Sequence, residues 1–193
     1  VHAYAKRLDP LGYDVGIGDV RVHPDIPRDR LTRYCEARNV RGAESGRPIP
    51  YRYFAAGNAA VPAWLLQKVG GFDERLRVWG GEDTELGLRL EQAGAAFVSI
   101  PDARVLHVQR RTVEGLWEAY RVFARDSMPI LFDKHSELVT AFHADVLGPR
   151  SISPRGHWLR RFLIRTATRP TLAAMLRRME ASARSSRRRL AAR

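Results

Sequence analysis

The chain has 193 residues, 45% of them hydrophobic and 28% charged, which suits one globular domain with appendages and a core of real size. Its lone cysteine, Cys35, excludes an internal disulfide and a metal-binding cysteine pair, and no apolar run approaches the roughly 20 residues of a bilayer span. The net charge of +12 is misleading, because residues 150–193 carry thirteen arginines against the single acid Glu180 while the rest of the chain is balanced.

The chain opens on Val1, inside what reads as the end of a helix, and is expected to be a piece of a longer protein. After Asp9-Pro10, the stretch Tyr13 to Gly18 reads as a short strand with Val15 and Ile17 on one face. The spacing of Leu31, Tyr34, Cys35 and Arg38 predicts a helix over Arg28 to Asn39. Gly42 to Pro50 is polar and rich in Gly and Pro, so a surface loop is expected. Tyr51 to Ala56 is aromatic and reads as a buried strand ending in the turn-like pair Gly57-Asn58. Pro62 opens a helix that carries Trp64, Leu65, Leu66 and Val69 and stops at Gly70-Gly71.

A loop from Phe72 to Val78 leads to Trp79-Gly80-Gly81-Glu82-Asp83. Glycine pairs permit sharp turns and close backbone approach, and carboxylates just behind such a turn are placed at the mouth of a cleft. The next helix, Thr84 to Ala93, is expected to bury Leu86, Leu90 and Ala93, leave Glu85, Arg89 and Gln92 to water, and end at Gly94. Ala96–Ile100 and Arg104–Val108 read as two strands split by a turn at Pro101-Asp102-Ala103. Thr112 can cap a helix with a stripe of Val113, Leu116, Trp117, Tyr120 and Ala124. Residues 126–149 suggest a mixed helix around Leu131 to Val146. Strand and helix alternate from Tyr13 to Val108, which favours an α/β sheet layered with helices. Three parts follow: residues 1–111, a helical extension over 112–149, and a basic amphipathic or disordered tail over 150–193.

Carboxylates in a first helical turn stabilise its positive dipole end, yet a helix cap has no need of a Trp-Gly-Gly lead. Trp79 could stack on a flat apolar face such as that of a sugar ring, while the acids bind hydroxyls. The ordered set Phe54-Ala55-Ala56-Gly57-Asn58, Gly70-Gly71-Phe72-Asp73-Glu74, Trp79 to Leu86 and His107 resembles the C-terminal half of a family-2-type GT-A (Rossmann-like) glycosyltransferase. It is similar to the C-terminal motif of the β-1,4-galactosyltransferases and the polypeptide N-acetylgalactosaminyltransferases, over roughly Gly12 to Val108.

The resemblance implies an inverting transfer of sugar from a nucleotide-diphosphate-sugar to a hydroxyl acceptor. Asp83 matches the general base, and Glu82 the acid that orients acceptor hydroxyls. Trp79 matches the aromatic platform of the acceptor site, which Gly80, Gly81 and Asn58 would line. His107 matches a histidine that often completes a Mg or Mn site holding the diphosphate; a histidine at a strand end is otherwise an ordinary core or surface group. Arg110 and Arg111 could neutralise diphosphate charge.

The family's first strand, its nucleotide-binding region and its Asp-x-Asp metal motif do not appear, since Asp19-Val20-Arg21 is basic at its third residue. The chain therefore reads as the acceptor-side half. The divalent metal is expected in the complete enzyme, and an exposed apolar sheet edge where further strands belong. The alternative is a non-catalytic carbohydrate- or partner-binding module. The tail could lie on an anionic membrane surface or pack on the domain, with nucleic acid the weakest option. A cytoplasmic location is expected, with a peripheral option at the membrane.

Overall fold

The computed structural model describes residues 2–4, 8, 13–37 and 46–142; the expectations for residues 150–193 lie outside them. The chain divides into two compact units, Val1–Lys134 and His135–Arg193. In the second, the described part is one short helix, Glu137–Ala141, with the Leu138 N–H donating to the His135 carbonyl at 3.0 Å.

The first unit is mixed α/β, as the alternation of elements predicts. Its elements are β1 (Val15–Val22), α1 (Arg30–Ala37), β2 (Ala59–Ala60), α2 (Ala63–Lys68), α3 (Glu82–Gln92), β3 (Phe97–His107), α4 (Val113–Val122) and α5 (Met128–Lys134). The three strands form one sheet in the order β2-β1-β3, with β1 parallel to β3 and antiparallel to β2. One face carries the main core, where Val15, Ile17 and Phe97 pack with Phe54, Leu65, Leu86, Leu90 and Ala95. The other face buries Val98, Ile100 and Ala103 beside Tyr4 and Leu8. Full burial of each such side chain contributes about 1.5–3 kcal/mol before conformational entropy is subtracted.

Local signals mark several boundaries correctly. Gly94 stops α3 at φ 94°, and the Thr112 hydroxyl caps α4 by accepting from the Gly115 N–H at 3.0 Å. Elsewhere tertiary pairing overrides the local pattern. The two expected strands around Pro101 are one strand, β3, whose register against β1 jumps from Gly18↔Ile100 to Asp19↔Arg104. Pro101, Asp102 and Ala103 are thus a bulge inside a strand, not a turn between two. Gly18 permits this, because a Cβ there would meet the Ala103 carbonyl at 2.2 Å.

Tyr51 to Ala56 is not a strand. Pro50 precedes a tight helical turn, Tyr51–Tyr53, closed by Phe54 N–H to the Tyr51 carbonyl at 2.8 Å, and a second such turn spans Ala56–Asn58. The end of the expected surface loop instead pairs with β3, with Gly46 N–H to Ser99 O and Ile49 N–H to Phe97 O at 3.0 and 3.1 Å. On α1 the buried side chains are Thr32 and Glu36, while Tyr34 is exposed. Glu36 turns inward because its carboxylate accepts from the Val22 N–H and from Arg28.

The α4 stripe is only partly buried, since Leu116 is covered and Val113 and Trp117 are exposed. A π-helical turn, Phe123–Ser127, then joins α4 to α5, and His135 interrupts the helix expected to run on to Val146.

Candidate active site

Helix α3 starts at Glu82, two residues earlier than its periodicity suggests, so Glu82, Asp83 and Glu85 all lie in its first turn. Three carboxylates at one N-terminus suit the helix dipole and repel one another. Their surroundings separate their roles.

Asp83 is half-buried, and its Oδ1 accepts a hydrogen bond from the Ala56 backbone N–H at 3.2 Å. Its Oδ2 has no protein partner among the described residues. Burial pushes the Asp83 carboxyl above its ordinary value, opposed by the Ala56 N–H and aided by the Glu82 charge. Glu82 keeps one oxygen, Oε2, buried without a hydrogen-bonding partner. A buried carboxylate oxygen in that state is costly unless a donor reaches it. The pair thus offers one free basic oxygen and one unsatisfied acceptor on successive residues.

Glu85 takes the opposite course and corrects the expectation that it and Arg89 face water. It is completely buried and grips Arg89 through Nε at 2.7 Å and Nη2 at 2.6 Å, while Lys134 Nζ approaches at 2.7 Å. Arg89 also donates to the carbonyls of Val69 and of Gly71, so α3 holds the glycine turn directly. Lys134 extends the network to Asp73 at 2.9 Å, and Arg75 chelates the same carboxylate. Arg75 first, then Lys134, hold the Asp73 carboxyl well below the usual carboxylate range. The Gly-Gly-Phe-Asp-Glu stretch is therefore a brace for the first turn of α3. Gln92 does remain exposed.

The glycines before Glu82 admit a close approach by the protein itself. At Gly81 φ is 99°, and an added Cβ would lie 2.8 Å from Leu131 and 3.1 Å from the Phe123 ring. Gly80, at φ 102°, faces the same Phe123 ring at 3.0 Å. The helical segment through the π turn packs onto the lead to α3, which explains the glycine pair without any ligand.

Trp79 is 39% exposed, meets Tyr120 edge to face at 5.7 Å between centroids, and carries the Arg111 guanidinium 4.8 Å over its ring. No local signal in the sequence announces Arg111 and Tyr120 as partners of this tryptophan.

Asn58 is buried and fully occupied. Its amide nitrogen donates to the carbonyls of Asp19 at 3.2 Å and Ala103 at 2.7 Å, and the Tyr4 hydroxyl donates to its side-chain oxygen at 2.8 Å. It stitches β1 to β3 and so fixes the turn that presents the Ala56 N–H to Asp83.

His107 ends β3 and lines a mainly apolar pocket with Val22, Leu31, Thr32, Cys35, Gln109 and Arg111. Among the described residues no three His, Cys, Asp or Glu side chains converge as metal ligands. His107 could supply one ligand to a divalent ion, and the described residues do not complete a site around it.

A match to a family of known proteins falls on this same segment. Residues 37–111 match a family model described as the N-terminal domain of galactosyltransferase. A hyaluronan synthase of Pasteurella multocida is 41% identical over 78 residues, which is 40% of this chain and 8% of the relative. Over residues 37–111 the chain is thus similar to glycosyltransferases, which supports its likeness to the family-2-type GT-A enzymes. The chain is also similar to the validoxylamine A glucosyltransferase of Streptomyces hygroscopicus subsp. jinggangensis, 48% identical over 46 residues, or 24% of this chain and 11% of that one. N-acetylgalactosaminyltransferase 4 of Drosophila melanogaster is 32% identical over 66 residues, covering 33% of this chain and 10% of the relative. The matches thus span about a tenth of the length of these relatives. The likeness to galactosyltransferases stands, while the model's description names an N-terminal domain; assigning the segment to the acceptor-side half rests on its motifs.

Proposed function

We propose that the chain is the acceptor-side portion of an inverting glycosyltransferase that moves a sugar from a nucleotide-diphosphate-sugar to a hydroxyl acceptor. The observation that carries this reading is the carboxylate pair at the start of α3, with a free Asp83 Oδ2 of raised basicity beside an unsatisfied Glu82 Oε2. In this reading a neighbouring hydroxyl of the acceptor donates to Glu82, which orients the acceptor, while the attacking hydroxyl yields its proton to Asp83 Oδ2 as its oxygen attacks the anomeric carbon. The new C–O bond forms as the bond to the diphosphate breaks, and the diphosphate leaves with the electron pair. The exposed part of Trp79 would receive the acceptor ring, with Arg111 already over the indole. Asn58 acts through the backbone, holding the Ala56 turn, and the glycines shape the lead to the helix. A Mg or Mn ion, expected in the complete enzyme, would need ligands besides His107.

Asp83→Asn keeps the shape and removes the base. Transfer measured as nucleoside diphosphate release should fall at least about 100-fold, the scale of general base catalysis, with an unchanged circular dichroism spectrum. Undiminished transfer would refute the role. The rival reading, a non-catalytic carbohydrate- or partner-binding module, draws on the donor-side motifs that this sequence does not show. Metal-dependent binding of UDP- or GDP-sugars by the full chain, followed by calorimetry, would eliminate it.

A further inference from the structure

Asp19 is 2% exposed at the point where the β3 bulge changes register, and its Oδ2 alone serves two guanidinium groups. Arg21 reaches it through Nε at 2.6 Å and Arg104 through Nε at 3.2 Å, while Oδ1 is buried without a hydrogen-bonding partner. Neutralising a buried carboxylate takes one cation. Here two are drawn onto one oxygen, which leaves a net charge of +1 and two like charges side by side. The heads remain accessible, with 36% of the Arg21 side chain and 54% of the Arg104 side chain exposed. Among the described residues, nothing else takes up their four terminal nitrogens. An anion bridging the two guanidinium groups would relieve their repulsion and find fork-shaped donors already oriented.

The fold goes to some length to make this arrangement. The bulge at Pro101–Ala103 brings Arg104 opposite Asp19, and Gly18 leaves room for it. Asp19 and Arg21 share the strand parity of Val15 and Ile17, which pack against Leu86 and Leu90. The arginine pair therefore lies on the sheet face that carries α3, whose first turn holds Glu82 and Asp83.

We propose that Arg21 and Arg104, held by the buried Asp19, form a metal-independent site for a phosphate or diphosphate oxyanion. This deepens the transferase reading, because it assigns the protein groups that would hold the phosphates of a nucleotide-sugar on the α3 face. The charge at the third position of Asp19-Val20-Arg21 then becomes an asset: a fixed guanidinium on the chain supplies the positive charge.

The test uses inorganic pyrophosphate and the full chain in EDTA, with arginine modification by phenylglyoxal mapped by peptide mass spectrometry. Pyrophosphate should protect Arg21 and Arg104 while leaving the exposed Arg52 unprotected, a site-resolved readout that the arginine-rich tail cannot mimic. Arg104→Gln, at a largely exposed position, should weaken pyrophosphate binding about ten-fold, the scale of one charge-assisted contact. Asp83→Asn should retain the protection even though it abolishes transfer, which separates failure of this site from failure of the base assignment. Equal modification with and without pyrophosphate would overturn the proposal, as would protection that appears only when Mn²⁺ is added.

Discussion

At Asp83, burial and the neighbouring Glu82 charge raise the proton affinity that the Ala56 N–H works to lower. A base acts only when ionised, so transfer should fall as pH drops through this raised pKa, with the acid limb above the ordinary aspartate value of about 3.9. A pH–rate profile checks this, and a limb at or below that value would contradict it. The stability consequence has the opposite sense. A carboxyl whose folded pKa is raised penalises the fold once pH exceeds the unfolded value, and not below it, where both states are protonated. Asp83→Asn should therefore raise the melting temperature at neutral pH, with the gain vanishing below about pH 4. Thermal melts across that range measure it; a lowered midpoint at pH 7 would mean that the charge is stabilised, not strained.

Among the elements, α3 has the most at stake. Arg89→Met takes one cation from the buried Glu85 and releases the Val69 and Gly71 carbonyls. Breaking a buried pair from one side typically costs about 3 kcal/mol or more, so urea unfolding should show a loss of that size. A loss below about 1 kcal/mol would reduce the brace to a surface-like ion pair. Gly81→Ala meets two obstacles, a positive φ and the nearby Leu131 and Phe123, and should cost about 2 kcal/mol. Trimming Leu131 in the same variant relieves only the steric part; full recovery would show that the left-handed backbone costs nothing.

These same elements mark how far the sequence could be read. Strand β1, the helix stop at Gly94 and the Thr112 cap were legible because each rests on neighbours within a turn or two. So was the carboxylate pair, whose Trp-Gly-Gly lead is unusual for a helix start. The burial of Glu85 was not legible: its i,i+4 spacing to Arg89 suits an exposed pair equally well, and its second cation, Lys134, comes from a distant helix. The Tyr51–Ala56 run carries the aromatic side chains of a strand, but hydrogen bonds to Pro50 and Tyr51 coil it. The bulge in β3 likewise depends on a register chosen by β1.

For the first compact unit as a whole, β3 is an edge strand whose second half has no outer neighbour among the described residues. Val105 and Leu106 are exposed there, at 38% and 50%, and Val108 just beyond the strand end at 74%. An open apolar edge invites pairing with another strand, whether from a copy or from another part of a longer protein. Leu106→Lys with Val108→Lys should suppress concentration-dependent association in sedimentation velocity and change stability by no more than about 0.5 kcal/mol, as exposed sites do. Unaltered association would clear the edge of any such role.

The parallel pairing of β1 with β3 also sets an order of events during synthesis. Val15 and its partner Phe97 are separated by all the intervening residues, the carboxylate helix among them. Translation at roughly 5–20 residues per second needs about 4–16 s to deliver that stretch, during which β1 emerges without its main partner. Asn58 draws its anchoring carbonyls from both strands, so the Ala56 turn and the Asp83 it supports gain their final geometry only when β3 closes the sheet. Such long-range closure is slow compared with helix formation. On the ribosome, the last strand of the sheet acts as the latch that assembles the site.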